Sequence, residues 1–188
     1  MKGKISALSL VTTIALLLAH FTQVVKLQAG QSEWSVYSSK DGGFSIMMPA
    51  MPKEEVSTQE VPNLGKAQIH VFVVKDESGF YMASYVEYPP LAKIDQEHAD
   101  EFGKGFLRSV GQGIAQGANG KVVKETEIDF GTYSGKEILI ALPAGLVTAR
   151  AYFIKRRGYQ LVAGPSTAGA ENGNIKKFLD SFRVTAQW

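Results

Sequence analysis

The chain has 188 residues, 45% of them hydrophobic and 20% charged, the balance of a globular protein rather than of a disordered or multi-span membrane chain. Three lysines, Lys2, Lys4 and Lys26, precede residue 30 and all 18 acids follow it, so the overall charge of +2 becomes −1 for residues 30–188; that excludes a dense basic face, and nucleic acid is not an expected partner. Cysteine is absent, which removes disulfides, thiolate nucleophiles, thiolate metal ligands and a lipoprotein anchor, and leaves stability to packing.

Residues 1–29 combine Lys2 and Lys4, an apolar run from Ile5 to Ala19 that is densest at Ile14–Ala19, no acid, and the small pair Ala29-Gly30. This is the pattern of a secretory signal peptide with Ala29 before the cut. The wider stretch Ile5–Val25 is also just long enough for a membrane anchor, which needs about 20 mostly apolar residues. The expectation is a signal peptide or N-terminal anchor over 1–29 and one globular domain over 30–188. Such a domain works outside the cytoplasm, and without disulfides a bacterial periplasm or a thylakoid lumen suits it best.

Trp34–Tyr37 and Phe44–Met48 flank Asp41-Gly42-Gly43, the grammar of a hairpin, and Pro49 and Pro52 then end pairing. Glu54–Pro62 is polar and reads as an edge strand. After a turn at Asn63-Leu64-Gly65, Ala67–Lys75 and Phe80–Tyr88 are apolar on both faces, so they are expected as inner strands covered from two sides. Tyr81, Tyr85 and Tyr88 are placed on one face. A helix follows over Asp95–Gln116, with Ala99, Phe102, Phe106, Val110 and Ile114 as its apolar stripe and acids at its start. Gly103, Gly105, Gly111, Gly113 and Gly117 weaken it by up to about 1 kcal/mol each against alanine.

Lys121–Phe130 alternates, with Val122, Ile128 and Phe130 on one face and Glu125, Glu127 and Asp129 on the other. Gly131–Gly135 leads to a strand over Glu137–Leu142, and Leu146–Lys155 with Tyr159–Ala163 forms a hairpin about Arg156-Arg157-Gly158. A last helix spans Asn172–Phe182 with Ile175, Phe178, Leu179 and Phe182 buried. The order of elements predicts an α+β fold, an antiparallel sheet with helices packed on its faces.

Trp34-Ser35-Val36-Tyr37, the run Asp41-Gly42-Gly43-Phe44-Ser45-Ile46 leading to Met48-Pro49, Tyr133-Ser134-Gly135-Lys136-Glu137 and Phe178-Leu179-Asp180-Ser181-Phe182 together resemble the PsbP-like family. The resemblance implies a central antiparallel sheet between helices, an α/β/α sandwich, in a protein exported to the thylakoid lumen or periplasm. It further implies a non-catalytic role, binding and stabilising a membrane complex or assisting its assembly. The chain departs from the family in having no lysine-rich docking segment; Lys121, Lys124, Arg156 and Arg157 come nearest to one.

No catalytic, cofactor-binding or metal-binding residue is assigned. Gly164–Gly169 carries Ser166 but lacks the spacing of a nucleophile elbow. His98 stands among Glu97, Asp100 and Glu101, where a metal site competes with a solvated acidic helix start and the helical geometry favours the latter. His70 shares a strand face with Phe72 and Val74 and is expected to pack. Gly111–Gly117 ends a helix instead of opening one, unlike a nucleotide loop. Tyr133, Tyr152 and Tyr159 with the earlier tyrosines are expected as sheet packing, and the basic turn Lys155-Arg156-Arg157-Gly158 as a hairpin tip that could dock an acidic partner. The leading expectation is an exported, non-catalytic protein-binding domain, with a membrane complex among the candidate partners. The alternative is an extracytoplasmic small-ligand or metal-binding domain using the tyrosines or the His98 region.

Overall fold

The computed structural model describes residues 34–61, 65–76, 79–88, 94–166 and 173–185, so the leader and its cleavage lie outside the described residues. The strands are β1 (Ser35–Ser39), β2 (Phe44–Met48), β3 (Lys53–Val61), β4 (Gly65–Asp76), β5 (Gly79–Glu87), β6 (Lys121–Phe130), β7 (Tyr133–Leu142), β8 (Gly145–Ile154), β9 (Arg157–Ser166) and β10 (Arg183–Val184). The helices are α1 (Gln96–Gly117) and α2 (Gly173–Asp180). Two antiparallel sheets result, one of seven strands in the order β3-β4-β5-β9-β8-β7-β6 and one of three in the order β1-β2-β10.

The inner strands of the seven-stranded sheet are buried on both faces, as the two-sided apolar pattern of β4 and β5 requires, while its edge strands β3 and β6 are largely exposed. On one face α1 lays Phe102, Phe106, Val110 and Ile114 against Ile69, Val71, Met82, Ile138, Ala149 and Val162. All five residues of the expected stripe are buried, and the helix starts one residue later than expected because Asp95 is its cap. On the opposite face Phe44, Ile46 and Met48 of β2 meet Phe72, Tyr81, Tyr85, Tyr159 and Leu161, joined by Ile175, Phe178 and Leu179 of α2.

That second layer, a small sheet with α2 beside it, departs from the expected α/β/α sandwich. A hairpin's alternation specifies which of its sides is buried but not which sheet it joins, and β1–β2 leaves the main sheet to lie across it. Short β10, unread in the sequence, pairs with β2 through Arg183 opposite Ser45 and Val184 opposite Phe44. Its sequence neighbour α2 is held to the main sheet by Arg150. The Arg150 Nε donates to Glu137 Oε2 at 2.7 Å and its Nη1 to Asp180 Oδ1 at 2.7 Å. Burial opposes the guanidinium's charge, but these two carboxylates outweigh it and raise the Arg150 pKa.

Four local departures have local causes. β7 begins at Tyr133 rather than Glu137, because the turn before it is only Gly131-Thr132, with Gly131 at φ 60°. A bulge at Val123 shifts the β6 register, so Val122 faces the α1 side while Ile128 and Phe130 face the other; the sequence places all three together. Tyr88 likewise lies on the α1 side, its ring 4.8 Å from Phe102, opposite to Tyr81 and Tyr85. Finally α2 ends at Asp180, and Phe182 is buried beyond it.

The motif Asp41-Gly42-Gly43 closes the β1–β2 hairpin over Tyr85. The Ser39 Oγ accepts from the Gly42 N–H at 3.0 Å, and the Tyr159 hydroxyl donates to the Gly42 carbonyl at 2.9 Å. A Cβ at Gly42 would stand 2.7 Å from Tyr85 Cε1, so the turn approaches the sheet more closely than any side chain permits.

Candidate functional site

The hairpin joining β8 to β9 turns on two residues, Lys155 at φ 47° and Arg156 at φ 69°. Ile154 pairs directly with Arg157, so the turn lies one residue earlier than the sequence suggests. Two-residue hairpins of the I′ type need positive φ at both central positions, which is why Asn-Gly dominates them. Side chains with a Cβ resist that region by roughly 1–2 kcal/mol per residue. A lysine and an arginine therefore occupy the two positions where local geometry least favours them.

The three consecutive basic residues have different tasks. The Arg157 side chain turns back over the fold: it pairs with the Glu87 carboxylate, Nη1 donates to the Asp41 carbonyl at 2.7 Å, and the guanidinium lies 5.4 Å from the centre of the Tyr85 ring. Arg156 Nη2 donates to the Ile94 carbonyl at 3.1 Å and ties the turn to the entry of α1. Lys155 is exposed and has no ion-pair partner among the described residues.

Beside the turn, the first two turns of α1 complete a cleft of about 320 Å³, with Gln96, Ala99 and Asp100 on one wall and Tyr133, Phe153, Lys155 and Arg156 on the other. Gln96 Nε2 donates to Asp100 Oδ1 at 2.8 Å. The helix start behind it is capped by Asp95, whose Oδ1 accepts from the His98 N–H at 2.9 Å and from His98 Nδ1–H at 2.7 Å. His98 is therefore engaged with the cap. Among the described residues no three His, Asp or Glu side chains stand close enough to share a metal ion.

That cap is titratable. The hydrogen bonds from the His98 backbone and ring hold the Asp95 carboxyl below its ordinary 3.8, and the bond to Asp95 raises the His98 ring above its ordinary 6.5. The histidine contributes fully below 6.5 and its share is lost as pH rises through the raised value; the aspartate contributes above 3.8 and its share is lost as pH falls through the lowered one. The contact is thus strongest between those limits. An NMR titration of His98 should show a midpoint above 6.5 that falls back in Asp95→Asn, which keeps a capping oxygen but not the charge; an unchanged midpoint would refute the pairing.

His70 stacks on Tyr85 with ring centres 4.4 Å apart and planes 7° from parallel, and its Nδ1 lies 3.1 Å from Glu54 Oε1. Tyr85, Tyr152 and Tyr159 belong to the buried layer beneath β2, and burial raises the pKa of all three phenols, that of Tyr85 by a large amount. The glycines Gly111 and Gly113 are buried within α1; a Cβ at Gly111 would stand 2.6 Å from Glu125 Oε1 and 3.1 Å from Ile138. Ser166 ends β9, and its side chain and the rest of the Gly164–Gly169 loop beyond it lie outside the described residues.

Of the four basic residues nearest to a docking segment, Arg156 and Arg157 are at the β8–β9 turn. Lys121 and Lys124 sit near the other end of the main sheet, since Lys124 pairs with Leu139 and Leu139 with Thr148. Thr148 is some 20 Å along β8 from the turn at about 3.3 Å per residue. Tyr133 is one of the tyrosines that the alternative reading assigns to a ligand site, whereas no local pattern marks Phe153, Gln96 and Ala99: three separate elements bring the four to one cleft.

Fold and site together define an antiparallel α+β domain of two stacked sheets, with a basic hairpin tip at the mouth of a small mixed cleft. No protein-family model matches the sequence, and no curated protein matches it. In structure the chain is similar to cyanobacterial PsbP (CyanoP) from Synechocystis sp. PCC 6803, at 13% sequence identity and a TM-score of 0.49, over 86% of this chain and 98% of that one.

Proposed function

We propose that this protein is an exported, non-catalytic domain that binds a protein partner through a carboxylate of that partner and serves the assembly or stability of a complex. The observation that carries this reading is the Lys155-Arg156 turn. Two cationic residues occupy positions that glycine and asparagine would fill at lower conformational cost, and strain of this kind persists where the side chains serve a purpose. Arg156 and Arg157 brace the turn against α1 and the Asp41 loop, so Lys155 is presented on a rigid support. A braced backbone has little freedom left to lose when the Lys155 ammonium meets a carboxylate. The residues that resemble the PsbP-like family point to the same kind of role, and the leader pattern supports an extracytoplasmic site for it.

Replacing the turn by Asn-Gly (Lys155→Asn with Arg156→Gly) separates stability from binding. The double variant should unfold at higher urea, by about 0.5–1 kcal/mol after the lost Ile94 contact is set against relieved backbone strain. Crosslinking in native membranes should recover a partner with the unaltered protein, less of it at high salt, and none with the double variant. Equal recovery by both proteins refutes the reading, as does turnover of a substrate abolished by a single change at His98 or Asp100.

A further inference from the structure

We propose that the cleft beside the β8–β9 turn receives the carboxyl-terminal residue of the partner polypeptide, an aromatic or large apolar residue with a free α-carboxylate. The inference rests on the docking reading above and adds the chemistry of what is docked.

The walls of the cleft differ in kind. Lys155 brings a positive charge without an ion-pair partner among the described residues, Asp100 a carboxylate with one oxygen engaged by Gln96, and Ala99, Phe153 and the Tyr133 ring an apolar lining. An internal acidic residue can pair with Lys155 and offer its backbone N–H to Asp100, but its side chain is used on the charge and leaves the apolar lining unmet. A terminal residue answers all three from a single Cα: its α-carboxylate pairs with Lys155, its backbone N–H donates to Asp100, and its side chain packs against the rings. The cleft, about 320 Å³, is large enough for one such residue. Specificity follows from the same walls, because an amidated terminus would leave the Lys155 ammonium facing a neutral group and an N–H donor.

The probe is a dye-labelled hexapeptide ending in phenylalanine, with a free carboxylate or with a terminal amide, titrated against the protein by fluorescence anisotropy. The free acid should bind, the amide at least tenfold more weakly. Lys155→Asn, which suits the turn's backbone, should weaken the free acid about tenfold, and Asp100→Asn about threefold, with both variants melting within a few degrees of the unaltered protein. Equal binding of acid and amide, or no binding of the acid at 1 mM, overturns the assignment. Free phenylalanine binding as tightly as the peptide overturns it in favour of a small zwitterion. The two readings fail separately: if acid and amide bind alike while the Asn-Gly turn still abolishes crosslinking, only the terminal-residue assignment falls, whereas unchanged crosslinking removes both.

Discussion

Phe44→Ala should lower the unfolding free energy by about 3–5 kcal/mol, the largest loss expected from one truncation in this protein. Phe44 is 1% exposed and lies between the two sheets, on the β2 strand that β10 and β1 flank. Its ring centre is 5.6 Å from Phe72, 5.9 Å from Phe182, 6.2 Å from Tyr159, 6.3 Å from Tyr85 and 6.4 Å from Tyr37. Removing it leaves a void that five rings bordering the same space cannot fill without giving up their edge-to-face and tilted geometry. The three-stranded sheet depends on this contact, since it meets the main sheet through side chains and not through strand pairing. Urea unfolding checks the value, and Phe44→Leu, which keeps most of the volume, should cost less than half as much. A loss under about 1.5 kcal/mol for the alanine variant would show that the sheets are held together elsewhere.

Gly103→Ala should destabilise the protein by about 1–2 kcal/mol, and Gly103→Val by 3 or more, although alanine in an isolated helix would be favoured by about 1 kcal/mol. The reversal comes from the sheet. A Cβ on Gly103 would overlap the Phe153 ring, with Cε1 at 2.9 Å, and that ring is itself confined by Phe102 and Phe106 at 5.8 and 6.0 Å. The helix would have to lift or Phe153 to leave its position. Phe153→Leu should therefore recover much of the loss in a Gly103→Ala background while being destabilising alone, a coupling that a double-mutant cycle measures directly. Additive effects would mean that the glycine's role is confined to α1. Because Phe153 also lines the cleft, peptide binding should weaken in the alanine variant.

The glycines show where sequence reading stops. Their cost to α1 follows from backbone entropy and needs only the sequence; their purpose, a close approach of helix to sheet at Gly103 and Gly111, needs the partner atoms. The same division holds at the turns. Asp41-Gly42-Gly43 announces a hairpin because glycine supplies the backbone freedom directly, and the hairpin is there. Lys155-Arg156 announces nothing, since neither residue favours positive φ, and the turn was expected one residue late. At β6 a bulge that has no residue signature transfers Val122 to the other face, defeating a plain alternation count.

The candidate site was legible only in part. The basic run was visible as a string of charges, yet its three members differ: Arg157 engages Glu87, the Asp41 carbonyl and Tyr85, Arg156 lines the cleft while donating to the Ile94 carbonyl, and Lys155 lines it without an ion-pair partner among the described residues. The acids about His98 were visible too, and Asp95 turns out to engage the histidine as part of the helix cap.

What the sequence by itself determined about this protein is local and periodic: the buried stripe of α1, the two-sided strands β4 and β5, the polar edge of β3 and the first hairpin. These depend on side-chain alternation and backbone freedom within a dozen residues, and such signals survive without knowledge of the rest of the chain. Only the tertiary structure decided that β1 and β2 form a second sheet, that α2 and β10 share its face, and that Lys155, Asp100, Tyr133 and Phe153 meet at one cleft. Those arrangements depend on contacts between residues tens of positions apart, whose energies come from shape and burial in three dimensions and leave no periodic trace along the sequence.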